Sequence, residues 1–74
     1  MSKLYNALEE AFETEFYKAV RSKENRNEDG SIIWNFVDAD ISIELHKKFG
    51  NIPDDLYCNL FDSYAEALAY EEAA

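Results

Sequence analysis

The chain has 74 residues, with 16 acids against 7 bases and a net charge of −9. That length suffices for one domain with one small core, and a hydrophobic content of 47% separates it from disordered acidic tails. The charge disfavours direct nucleic-acid binding, because it repels phosphate backbones; no apolar run approaches the ~20 residues of a membrane span.

The N-terminal residues MSKLYNALEE have neither an apolar signal core nor a transit-peptide composition. Residues 2 to about 23 read as an amphipathic helix that Ser2 can cap. Leu4, Leu8, Ala11, Phe12, Phe16, Ala19 and Val20 recur at three- and four-residue spacings on one face. Glu9, Glu10, Glu13 and Glu15 precede Lys18, Arg21 and Lys23, an order that suits the helix dipole. The basic group therefore reads as structural rather than as a phosphate site.

Residues 24–30, ENRNEDG, are polar and close on Asp-Gly, so they form a loop. From Asn25 onward the loop resembles an EF-hand calcium loop. Asn25, Asn27 and Asp29 alternate, Gly30 stands at the sharp turn, and Ile32 occupies the branched apolar position. The match departs from that family at both ends. Asn25 replaces the first Asp, and Phe36 stands where a bidentate Glu completes the shell. A plain polar loop is the reading preferred over a calcium module.

The stretch 31–50 organises the chain. Asn35 and Asp38 have the spacing of a capping box, and Trp34 just before them is placed to staple onto Ala39. Val37, Ile41, Leu45 and Phe49 make a helical stripe. His46, Lys47 and Lys48 suit a helix C-terminus, and Gly50 suits its stop. The competing reading is a β-hairpin pairing 32–37 with 41–46, because Ile41, Ile43 and Leu45 also alternate. His46 has no second ligand at zinc spacing, so it reads as a helix-end cation or partner contact. Asp38 and Asp40, two apart, diverge on a helix.

Asn51, Ile52 and Pro53 turn the chain into a third helix over 53–70, with Asp54 and Asp55 at its positive end. Leu56, Leu60, Tyr64, Ala67 and Leu68 form its core face, and Tyr57 and Phe61 widen it. Glu71 to Ala74 should fray, since acids are unfavourable at a helix C-terminus. Cys58 stands alone and cannot form an internal disulfide, which predicts a reduced cytoplasmic protein with a buried thiol, since a small secreted domain is usually stapled.

The expected fold is all-α, a three-helix bundle, with α+β around a central hairpin as the alternative. Its expected core is Leu8, Phe12, Phe16, Val20, Trp34, Val37, Ile41, Leu45, Phe49, Leu56, Leu60, Tyr64 and Leu68. The second and third helices resemble a helix-turn-helix in outline, but the acids of the third have the wrong sign for a DNA groove.

No nucleophile–base–orienter set and no phosphate-cradling glycine loop is present. The chain therefore reads as a non-enzyme without a cofactor. Residues 1–26 hold five acids and five bases, whereas 27–74 hold eleven acids and two bases. The aromatics, five Tyr, five Phe and one Trp, exceed what one small core encloses. Tyr5, Tyr17, Tyr57, Phe61 and Tyr70 look surplus, and tyrosine among acids is common at protein-binding surfaces. The candidate partner-binding residues are Asp54, Asp55, Tyr57, Phe61, Asp62 and Glu66, facing a basic protein. In size, charge and the block DGSIIWNFVDAD the chain resembles small acidic bacteriophage proteins. That resemblance implies an inhibitor that binds a host nucleic-acid-binding protein by imitating the charge of DNA, in the host cytoplasm. A structural or accessory subunit, possible as a homo-oligomer, is the alternative; there the acids only solvate the outer face.

Overall fold

The computed structural model describes residues 3–73, with side chains described for residues 5–72. Ser2, expected to cap the first helix, and the side chain of Leu4, expected on its core face, lie outside the described residues. Three helices follow one another: α1 (Lys3–Arg21), α2 (Trp34–Phe49) and α3 (Asp54–Ala73), with a short 3-10 turn at Lys23–Asn25. The all-α three-helix reading is therefore correct. The hairpin alternative is not, since 34–49 is one helix and Arg26–Ile32 is an isolated antiparallel bridge. Ile41 and Leu45 are buried while Ile43 is 55% exposed. Burial thus follows the four-residue spacing and not the alternation.

α1 is the central element. Phe12 and Phe16 are fully buried on it. Phe12 meets the rings of Phe16, Tyr57, Phe61 and Tyr64. Phe16 meets those of Tyr17, Trp34, Phe61 and Tyr64. Around these rings lie Leu8, Ala19, Val20, Val37, Ile41, Leu45, Leu60 and Leu68, all buried. Phe49, Leu56 and Tyr64, expected in the core, are half-buried at its edge. Ala67 falls on the flank of the α3 stripe and is exposed.

Both α2 and α3 lean on α1, and among the described residues no Cα of α2 lies within 8 Å of one of α3. α3 runs alongside α1 in the same direction. Near its start Leu56 shares a hollow with Tyr5 and Leu8, and near its end Glu72 reaches Arg26, 3.9 Å away, beyond the end of α1.

Asn25 keys the connection. It is only 4% exposed, and its Nδ2 donates to Ala19 O and to Asp40 Oδ2, both at 2.9 Å. The Asn25 carbonyl accepts the Ile33 N–H at 2.8 Å. A buried amide with its donors satisfied holds the end of α1, the loop and α2 in one register. Arg26 adds a second tie, donating from Nε to Val20 O and from Nη1 to Gly30 O, each at 2.8 Å.

The start of α2 departs from the expected capping box. The helix begins at Trp34, with Ile33 as its N-cap and no side-chain cap. The N–H groups of Phe36 and Val37 donate to Ile33 O at 3.0 and 3.2 Å, so Ile33 closes the first turn. Trp34 does not staple onto Ala39, which is exposed. It is drawn into the helix by packing on Phe16 and Phe61, at ring distances of 6.3 and 5.8 Å. It also stays 39% exposed, at the margin of the core rather than inside it.

The helix stop is as expected. The Gly50 N–H donates to His46 O at 2.9 Å, and Gly50 takes φ of 74°, where a Cβ would be strained. α3 continues through Ala73 instead of fraying after Tyr70. Buried Leu68 and the Arg26–Glu72 pair hold its last turns against the unfavourable dipole.

Candidate functional site

α3 carries six acids, Asp54, Asp55, Asp62, Glu66, Glu71 and Glu72, and no Lys or Arg. All six are exposed. Among the described residues only Glu72 of these makes a salt bridge. On each of the other helices one acid among the described residues has a cationic partner. Glu15 is 9% exposed and faces Lys48 Nζ at 3.6 Å, and Glu44 faces Lys47 Nζ at 3.5 Å. Helical geometry places Asp55, Asp62 and Glu66 on one outward stripe, with axial steps of about 10 and 6 Å. Asp54 and Asp55 occupy the first turn, where the dipole favours them.

Tyr57 and Phe61 sit one turn apart on the edge of α3 that faces α2. They widen the core face of α3, as expected from the sequence, and are half-buried. Phe61 packs on Phe12 and Phe16 at ring distances of 6.4 and 6.0 Å, since that edge borders α1 as well as α2. The Tyr57 hydroxyl donates to Asp38 Oδ1 at 2.6 Å, with Asp38 O at 3.1 Å. Burial first, and the adjacent Asp38 carboxylate second, hold the Tyr57 phenol well above its ordinary value.

Together these residues make a groove of about 270 Å³ between α2 and α3, whose lining includes Trp34, Asp38, Tyr57, Cys58, Phe61 and Asp62. Of the six candidate residues the structure brings Tyr57, Phe61 and Asp62 into this groove. Asp54, Asp55 and Glu66 stand outside it on the open face of the same helix. Sequence reasoning missed the α2 contribution. Trp34 and Asp38 are four apart, the spacing of one helical face, but assigning Asn35 and Asp38 to a cap hid that relation. Cys58 is exposed in the groove, not buried. Its neighbours one turn away are Asp54 and Asp62, which is the signal that it faces outward.

The EF-hand-like loop spends its oxygens and amides on itself. Asp29 Oδ1 accepts from the Ser31 N–H at 3.0 Å and the Ser31 hydroxyl at 2.6 Å. These bonds, the hydroxyl first, lower the Asp29 pKa. Asn27 Nδ2 donates to Ser31 Oγ at 2.9 Å, and Asn25 is committed to the helices. Gly30 takes φ of 89° at the turn. Among the described residues no group of three or more His, Cys, Asp or Glu is arranged to hold a metal ion. His46 is exposed, and its Nδ1 lies 2.7 Å from Ser42 O. Asp38 and Asp40 diverge, one to Tyr57 and one to Asn25. No described helix is long and apolar enough to cross a membrane.

Comparison with known proteins finds no matching family model, no matching relative and no matching solved structure.

Proposed function

We propose that this chain is a small acidic interaction module, not a catalyst, that docks α3 on a basic surface of another protein. The observation that supports this reading is the helix with six acids and no base, five of them exposed without a salt bridge among the described residues, beside a half-open aromatic groove. A line of carboxylates on a helix offers the sign, and roughly the linear layout, of a phosphate backbone. The partner this favours is a nucleic-acid-binding protein, blocked by charge mimicry. The resemblance of the chain to small acidic phage proteins points to a host protein of that kind.

The test starts from affinity capture on the immobilised chain, followed by association kinetics of the captured protein across about 50 to 200 mM salt. Association should weaken steeply with salt, because screening shortens the reach of exposed charges. Asp55→Asn with Asp62→Asn should slow association several-fold and change dissociation less. The same double variant should shift the denaturant midpoint only slightly, since exposed unpaired acids contribute little to the fold and the helix dipole adds at most about 1 kcal/mol at Asp55. Binding that ignores both salt and the Asp pair, yet is lost when exposed Phe36 or Tyr70 is truncated, would replace this reading with that of an accessory or self-associating subunit.

A further inference from the structure

We propose, resting on the docking of α3 against a basic partner, that the groove between α2 and α3 receives an arginine side chain of that partner. The other acid-lined hollows provide the contrast. The one formed by Glu15, Asp40 and Glu44 already contains Lys18, and the one beside Glu72 contains Arg26. The hollow at Asn6, Glu9, Glu10 and Glu13 is acidic without an aromatic residue. Only the α2–α3 groove, among these, combines aromatic walls with carboxylates and lacks a cation of its own.

The chemistry of its walls selects the guanidinium. Trp34 and Phe61 stand at 5.8 Å with their planes 69° apart, and Tyr57 follows Phe61 at 6.2 Å. Aromatic surfaces of this kind attract a cation within about 6 Å of a ring centroid. A planar guanidinium stacks on them and still presents N–H groups at its edge, which a compact ammonium does not. Asp38 and Asp62 supply the acceptors, one from each helix. Asp38 is pre-oriented, because the Tyr57 hydroxyl holds Oδ1 and leaves Oδ2 as an acceptor. The groove thus reads planarity as well as charge, whereas the outer stripe of Asp55 and Glu66 reads charge alone.

The experiment uses two probes, an arginine octapeptide and a lysine octapeptide, titrated against the full chain. Trp34 is the sole tryptophan and lines the groove, so its fluorescence reports occupancy. The arginine peptide should bind about threefold to tenfold tighter and shift the Trp34 emission, while the lysine peptide binds without a comparable shift. Asp62→Asn should remove most of the arginine advantage; Asp55→Asn should weaken both peptides alike. Alkylating exposed Cys58 with N-ethylmaleimide fills the groove without touching the core and should also erase the advantage. Equal affinities with no Trp34 response, while binding remains salt-dependent, would overturn the arginine receptacle and leave the docking of α3 intact. Failure of both peptides to bind even at low salt would overturn the docking itself.

Discussion

α2 meets its two neighbours in opposite ways. Toward α1 it buries Val37, Ile41 and Leu45 completely, and the backbones approach closely. Asp40 reaches back to Asn25 on that side, closing the junction with a part-buried hydrogen bond. Toward α3 it offers Trp34 and Asp38, which meet Phe61 and Tyr57 across a gap that the backbones do not close. Helix spacing is set by the side chains at the contact. Aliphatic residues of moderate size let the first pair close, while large rings prop the second pair apart and leave a groove. The same helix is therefore sealed on one side and open on the other.

The strongest way to break this contrast is Phe16→Ala, because that ring supports both junctions. It should cost about 3–5 kcal/mol in denaturant unfolding, as fully buried aromatics do. Asn25→Ala tests the sealed side alone. Removing the donor leaves Ala19 O and Asp40 with lost partners and should cost about 2 kcal/mol. Trp34→Ala tests the open side. With 39% of the residue exposed, the loss should be about 1–2 kcal/mol, well below that of Phe16. A loss as large as that of Phe16→Ala would show the α2–α3 junction to be as tightly closed as the other.

Tyr57→Phe sharpens the contrast with the smallest change. Removing the hydroxyl should cost about 1 kcal/mol near neutral pH. The pH dependence carries more information. The Tyr57 phenol is raised above its ordinary value by burial and by Asp38, so folding favours the protonated ring. Its contribution is fully present below about pH 10 and declines as pH rises beyond that, where the unfolded chain loses the proton first. Unfolding followed across the alkaline range should show a shallower decline for Tyr57→Phe. Tyr64, also raised by burial and then by Glu13 and Glu9, keeps the slope from vanishing.

Much of this architecture was legible because it depends on local spacing. The Leu8, Phe12, Phe16 series and the Val37, Ile41, Leu45 series are periodic whatever lies opposite them. Gly50 needs only its own backbone to announce a helix stop. The start of α2 was not legible, because a capping box is a local pattern and the helix there is placed by Trp34 docking on residues 18 and 27 positions away, Phe16 and Phe61. The last turns of α3 failed for the same reason, since Arg26 lies far from Glu72 in sequence. In the site, Tyr57, Phe61 and Asp62 could be singled out on one helix. That they form one wall of a groove depends on how far α2 stands from α3, which no spacing within either helix encodes.

The weak backbone approach of α3 has a further consequence for how the molecule opens. α3 is joined through residues 50–53 and held by buried Leu60 and Leu68 and the rings at its edge, while α1 and α2 are locked by Asn25 and a fully buried aliphatic row. Partial opening that lifts α3 alone exposes less apolar surface than global unfolding, so its amides should exchange with solvent deuterium sooner than those flanking Phe12 and Phe16. Six like charges on the lifted helix favour that excursion, and added electrolyte should slow it by screening their repulsion. Salt would then steady the helix at the same time as it weakens its hold on a partner. The concentration of acid that makes α3 a docking element also makes it the loosest leaf of the fold.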